Sequence, residues 1–484
     1  MKILFLVHNL GKTRHFESVI DELTRRGHAV TLGAARKRRK PLKLTGRFAN
    51  NPRLDVVPFP VHRVDRWRNH VRPLRQARDY LRFLEPRYTG AARLASRAAE
   101  YAPPGWPERL RGDAWLARHH AWARRGLALA EALVPSERFF ELSIQAEQPD
   151  LILVTPLVDF GSYQTDYVKA AHRLGIPVAF VPFSWDNLTN RGLIRVAPDR
   201  VLVWNRQQRD EAVLLHGVPA DRVVIVGAPR FDEFFAMRCT TTREGFFADA
   251  GLDPGAPLLL YLCSSPFVAP REVEFVRAWV RALRDAPDAS VRACQVLVRP
   301  HPAHVEQWEG GLGDDLPGAS LSPDDGRMQA DQRLYDSLVH CAAVVGLNTS
   351  AMIEAGIVGR PVLTVRSPEF AGGQEQTLHF HYLLAEHGGL VQAAGSMDEH
   401  MAQLAAALDA PTVAADRARR FVESFVRPHG LDTPATPLMV EAIEASARIR
   451  KRPARASLYK AAGRPLLLAA LDRRALRAGR RRKG

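Results

Sequence analysis

The chain is poor in cysteine and has no long apolar run. Four cysteines occur in 484 residues: Cys239, Cys263, Cys294 and Cys341. They lie far apart and form no C-x-x-C pair, so neither a zinc ribbon nor a disulfide framework is expected, and core thiols in a reducing compartment are. No stretch approaches the about twenty uninterrupted apolar residues that a membrane-spanning helix requires. The opening MKILFLVHNLGKTRHF has one basic residue followed by an apolar run too short for a secretory signal. The expected compartment is the cytoplasm, with a membrane reachable only from its surface. Repeats of about 20 to 50 residues are also missing, which excludes solenoids and propellers.

Acidic side chains are outnumbered, 52 against 68 Lys plus Arg, for a net charge of +16. The imbalance is local. Residues 36–135 hold 23 basic and 8 acidic side chains, residues 447–484 hold 14 and one, and the other 346 residues carry a net −12. The basicity therefore describes two segments and not the body of the protein.

The body reads as alternating strands and helices. Lys2–His8 is an apolar run of strand length, Phe16, Val19, Ile20 and Leu23 recur at helical intervals, Gly27 stops that helix, and His28–Leu32 forms the next strand. Such a βαβ opening predicts an α/β class with parallel strands. The alternation resumes with strands at 150–155, 176–183, 199–205 and 222–227, separated by helices at 161–174 and 206–216. A second series has strands at 257–265, 295–302, 342–348, 361–365 and 389–393. Between the first strands and residue 135 lies an Arg-rich segment with Trp67, Trp106, Trp115 and Trp122, helical from Val71 onward. The expected domains are 1–235, with 36–135 as a basic helical insertion, then 236–430, then a closing helix and basic amphipathic tail over 431–484. Ligands are expected in a cleft between the two α/β domains, because strand carboxyl ends and domain interfaces concentrate ligand contacts.

The most specific stretch runs from Gly346 to Val365. A buried strand ends in Asn348-Thr349-Ser350, a helix begins, Glu354 lies one turn on, and Gly359-Arg360-Pro361 leads into the next strand. Free amides at the helix start, with the two hydroxyls, suit a phosphate. Equally, Thr349 or Ser350 is an N-cap with Glu354 as its capping-box partner. Upstream, Arg299-Pro300-His301-Pro302 closes a strand and puts a cation and an imidazole where a departing pyrophosphate would be neutralised.

This strand, Ser/Thr loop, helix glutamate and Gly-x-Pro, followed by Gln374 and Gln376, resembles the donor half of GT-B glycosyltransferases, including the N-acetylglucosaminyltransferase that forms lipid II. The domain-level likeness spans 1–34 and 136–430, the motif-level likeness about 295–376. It implies two Rossmann-like domains facing a cleft. It also implies donor-phosphate contacts from Asn348, Thr349 and Ser350, a ribose held by Glu354, and donor contacts from Gln374 and Gln376. A His-Pro pair followed by a Ser/Thr pair also resembles bacterial sialyltransferases and CDP-glycerol-dependent polymerases. Their acidic motif precedes His-Pro in the sialyltransferases, whereas Asp324-Asp325-Gly326 follows it here and reads as a surface turn.

In the first domain the loop His8–His15 follows the first strand and resembles the acceptor side of inverting GT-B enzymes, where a loop histidine or carboxylate deprotonates a hydroxyl. His15 is the preferred base, since a histidine titrates near working pH; it is otherwise a helix-start surface residue. Gly11-Lys12-Thr13 lacks the upstream glycine of a P-loop. Trp185, Asp186 and Asn187 follow another buried strand and either contact a sugar, with Asp186 the second candidate base, or form an Asx-type turn with a packed tryptophan.

The expectation is a glycosyltransferase moving a sugar from a nucleotide-sugar to a hydroxyl of a glycan or lipid-linked acceptor in surface-polysaccharide synthesis. It needs no cofactor and no metal. The rivals are a CDP-glycerol-type glycerophosphotransferase, a sugar-nucleotide 2-epimerase and a non-catalytic membrane-associated or nucleic-acid-binding protein. Leu458, Tyr459, Leu466, Leu467, Leu468, Leu471 and Leu476 among basic residues predict that the tail meets an anionic membrane surface; nucleic acid has only charge in its favour.

Overall fold

The computed structural model describes residues 1–35, 42–44, 46–108, 119–312, 316–322, 330–454 and 458–480. The chain forms two units, one of residues 1–89, 94–230 and 434–484 and one of residues 90–93 and 231–433. The first unit holds seven strands: β1 (Lys2–Val7), β2 (Ala29–Ala34), β3 (Leu54–Pro58), β4 (Leu151–Thr155), β5 (Val178–Phe180), β6 (Arg200–Val203) and β7 (Val223–Ile225). Their order is β3-β2-β1-β4-β5-β6-β7. The second unit holds β8 (Leu258–Leu262), β9 (Gln295–Arg299), β10 (Ala319–Leu321), β11 (Ala343–Gly346), β12 (Val362–Val365) and β13 (Val391–Ala394), in the order β10-β9-β8-β11-β12-β13. All pairings within both sheets are parallel.

A parallel sheet is covered on both faces, so its strands are apolar on both. Ile3, Phe5 and Val7 of β1 pack with Val19, Ile20 and Leu23 of the helix Glu17–Arg25. The alternate residues Leu4 and Leu6 meet Phe140, Ile144 and Val168 on the other face. The helix begins later than its periodicity predicts. Leu10–Phe16 is a 3-10 segment, tightened by the Thr13 hydroxyl donating to Leu10 O at 2.7 Å.

The Arg-rich segment differs from expectation in two ways. It supplies β3 to the sheet, so the helical insertion proper begins after Pro58. Several of its arginines are also internal braces. Arg75 is buried and donates to both Glu131 and Asp166, Arg63 also donates to Asp166, and Lys169 pairs with Glu131. Burial opposes the charge on Glu131 and Asp166, but the adjoining cations outweigh it and hold both carboxyls below their usual range. Arg82 donates to the carbonyls of Leu188, Arg191 and Gly192, tying the loop after β5 to the helix Val71–Arg82. Trp115 lies outside the described residues.

Residues from 434 on return to the first unit instead of forming a segment of their own. Met439, Val440 and Ile443 of the helix Ala435–Ala447 are fully buried in the cluster containing β1. The tail forms the helix Leu458–Arg480, whose Leu467, Leu468 and Leu471 pack on Trp67, Val71, Leu74, Ala130 and Val134. His70 Nε2 and Asp472 Oδ1, 2.7 Å apart, fasten it further. Among the described residues no helix is long and apolar enough to cross a membrane.

Candidate functional site

In an open α/β sheet, ligand groups collect at carboxyl ends where the chain's direction of winding reverses. In the second unit that point lies between β8 and β11, since β9 and β10 extend the sheet one way and β12 and β13 the other. Register aligns Leu262 with Arg299 on one side and with Gly346 on the other. A Cβ on Gly346 would meet Leu262 O at 2.6 Å, so glycine is required for β11 to sit this close. The close approach brings Asn348 N within 3.3 Å of the Ser264 hydroxyl. Thr349 and Ser350 follow, half-buried, just before the helix Ala351–Ile357. Arg299, His301, Ser350 and Glu354 each engage further polar or electrostatic partners, and Glu354 is buried.

Beneath this loop lies a carboxylate that the sequence reading missed. Glu272, fully buried, accepts from Ser264 N at 2.7 Å and from the Tyr261 hydroxyl at 3.1 Å. Burial pushes its pKa up to about 7, against the opposing hydrogen bonds from Ser264 and Tyr261.

In the first unit the reversal lies between β1 and β4. His8 follows β1 and Asp159 follows β4. The His8 side chain is 48% exposed, and its Nδ1 lies 3.3 Å from Asp159 Oδ2. Arg191 donates to the same carboxylate. Burial opposes ionisation of Asp159, but the bonds and charges of His8 and Arg191 prevail and keep its pKa below the ordinary value.

No protein-family model and no curated protein sequence matches the chain. Solved structures do. A UDP-GlcNAc 2-epimerase from Neisseria meningitidis, bound to UDP-GlcNAc, aligns over 92% of this chain and 100% of its own with a TM-score of 0.50 and 12% identity. A glycosyltransferase from Rickettsia africae aligns over 92% and 98%, also with a TM-score of 0.50, at 9% identity. The chain has the GT-B fold. At this identity the likeness speaks for architecture alone, and the chemistry has to be argued from the side chains.

Within the GT-B frame, Arg299, His301, Thr349, Ser350 and Glu354 fall at the carboxyl edge of the second sheet. Other residues predicted as contacts are engaged within the fold. Asn348 Nδ2 donates to Gly373 O at 2.6 Å. Gln374 is fully buried, and its Nε2 donates to Leu347 O, Thr364 Oγ1 and Val365 O at 3.0 to 3.2 Å, bracing the loop over β11 and β12. Gln376 is half-buried in the same loop. In the first unit, residues 184–191 form the turn. Asn187 is buried with its Oδ1 accepting from Phe183 N and Ser184 N, Trp185 is packed inside, and Asp186 accepts from Asn190 Nδ2 at 2.5 Å.

His15 does not suit a base. It is buried and stacked on Phe183 at 5.1 Å, and burial together with Arg230, Arg14 and Lys12 lowers its pKa to about 2. The sequence alternative of a helix-start surface residue does not describe it either, since His15 lies in the 3-10 segment Leu10–Phe16 and is buried there. His8 is the first residue past the strand, and an exposed imidazole beside a carboxylate was the missed combination; position after an apolar run was its only sequence signal. All four cysteines are free, three of them buried and Cys239 half-buried. Asp324-Asp325-Gly326 lies outside the described residues, among which no metal-binding group of His, Cys, Asp and Glu occurs.

Proposed function

We propose that the chain is a glycosyltransferase that moves a sugar from a nucleotide-sugar to a hydroxyl of a glycan or lipid-linked acceptor. The observation that carries this reading is the His8–Asp159 pair at the reversal point of the first sheet. With Nδ1 held by the carboxylate, Nε2 is the nitrogen that takes the proton from the acceptor hydroxyl, and Asp159 stabilises the resulting imidazolium. The oxygen so activated attacks the anomeric carbon, and the bonding pair leaves with the nucleotide phosphate. Arg299, His301, Thr349 and Ser350 balance that developing charge, and Glu354 accepts from the ribose. Supporting the donor side are the register of Arg299 with Leu262 and the tight approach at Gly346. An epimerase has no acceptor hydroxyl to deprotonate and no use for the large insertion.

The basic tail and insertion are read as the means by which this enzyme meets an anionic membrane and its acceptor, from the cytoplasmic side. A neighbour on the same fold was solved with UDP-GlcNAc bound, so UDP-GlcNAc heads the donors to screen by thermal shift, followed by GDP-, CDP-, CMP- and dTDP-linked compounds. The variant His301→Ala/Ser350→Ala should lose the stabilisation given by the hit. His8→Ala should retain it and lose turnover by about 10²–10⁴. Wild-type donor binding and turnover in the double variant would refute the donor assignment, and a new phosphodiester in the product would reassign the reaction to glycerophosphate transfer.

A further inference from the structure

Phe183, just beyond β5, gathers positive groups. Lys12 Nζ lies 4.0 Å from its ring centroid and the Arg191 guanidinium carbon 5.3 Å, while His15 stacks on the same ring. Arg14 Nε approaches His15 Nε2 at 3.5 Å. Arg230 acts on His15 as well, and Arg97 is opposed by Arg191. Lys12 shows how the balance falls: burial, then Arg191 and Arg14, oppose its charge more strongly than Asp159 and Asp186 support it, and its pKa drops. An aromatic face eases one cation but does not cancel several. A half-buried cluster of like charges is relieved by an anion, and a planar guanidinium beside an ammonium suits phosphate oxygens.

Arg191 connects this cluster to the proposed chemistry. It donates to Asp159, and Asp159 holds His8. An anion seated on Lys12 and Arg191 therefore lies beside the histidine that takes the acceptor's proton.

We propose that Lys12 and Arg191, with Arg14 at the rim, bind a phosphate or pyrophosphate group of the acceptor. The proposal rests on reading the first unit as the acceptor side. A lipid-linked pyrophosphate and a phosphorylated soluble sugar offer the same recognition chemistry.

The test is calorimetric binding to the full chain, with no turnover needed, using inorganic pyrophosphate and citronellyl pyrophosphate. Lys12→Met/Arg191→Met should weaken both by about a hundredfold, since each of the two lost charge-assisted bonds is worth about tenfold or more. His301→Ala/Ser350→Ala should leave a pyrophosphate site of wild-type affinity. Lys12→Gln alone, which keeps the Arg191–Asp159 bond, should show a smaller loss and guards against misfolding of the double variant. Tighter binding of the citronellyl compound assigns a lipid source, and equal binding a soluble one. Unchanged affinity in both Lys12 variants, or no pyrophosphate site once the second-unit residues are removed, overturns the proposal. A donor hit in the thermal screen with such a result would leave the glycosyltransferase reading standing and this one refuted.

Discussion

Glu272 makes the stability of the second unit depend on pH in a direction unusual for a carboxylate. Its side chain is fully buried under the Ser264 loop, and its pKa rises from 4.5 to about 7. Below the unfolded value both states are protonated and the group costs nothing. As pH rises, the unfolded chain ionises first, so stability falls steadily until the folded pKa is passed and then levels. At 1.36 kcal/mol per decade, the interval amounts to about 3 kcal/mol lost between pH 4.5 and 7. Glu272→Gln removes the titration while keeping an acceptor for Ser264 N and a polar partner for the Tyr261 hydroxyl, and the two sites remain satisfied. Wild type and variant should have similar stability near pH 4.5, and above pH 7 the variant should be more stable by about 3 kcal/mol. Hydrogen exchange of the β8 and β11 amides reads this within the second unit alone, free of titrations in the first. Parallel pH curves for the two proteins would show that Glu272 is not a buried acid of raised pKa. Because Ser264 also receives Asn348 N, the same substitution should slow exchange at Asn348 and leave the position of the Asn348–Ser350 loop unchanged.

Arg75→Met should destabilise the first unit by about 3–5 kcal/mol, since it leaves Glu131 and Asp166 buried without their main cation. Both carboxyls have lowered pKa values, so their contribution is present above the ordinary carboxylate range and is lost as pH falls below it; exchange of the β4 amides should show this acid loss in wild type and little of it in the variant. Removing 458–484 uncovers Trp67, Val71 and Leu74, so the melting temperature of the first unit should drop while nucleotide stabilisation of the second persists. The truncated chain should also float less with anionic vesicles, and undiminished flotation would exclude the tail as the membrane device. His15→Gln should reduce turnover far less than His8→Ala, and the opposite order would restore His15 as the base.

The alternation of apolar strands with amphipathic helices was legible because parallel strands are buried on both faces and helices on one, so each writes its period directly into the chain. Short or half-polar elements escaped. β3 lies among arginines, β10 is three residues long, and the 3-10 turn at Leu10–Phe16 has no periodicity to distinguish it from the helix that follows. The motif around Gly346–Val365 lies at a strand's carboxyl end as its sequence pattern indicates, while the hydrogen bonds by which Asn348 and Gln374 brace that loop were not legible, because an amide that braces a loop and one that faces a ligand look alike in sequence.

Local pattern and composition alone determined the α/β class, the two series of strands, the confinement of the positive charge to two segments and the place of the Ser/Thr loop. Tertiary structure decided everything that depends on groups distant in the chain. His8 and Asp159 are 151 positions apart and become partners only because β1 and β4 are neighbours. Arg75 changes from a surface cation to a buried brace when Glu131 and Asp166 close on it, and Lys12 and Arg191 meet over Phe183. Charge and pKa are properties of surroundings, and in this chain the surroundings are assembled by strand order and not by sequence proximity.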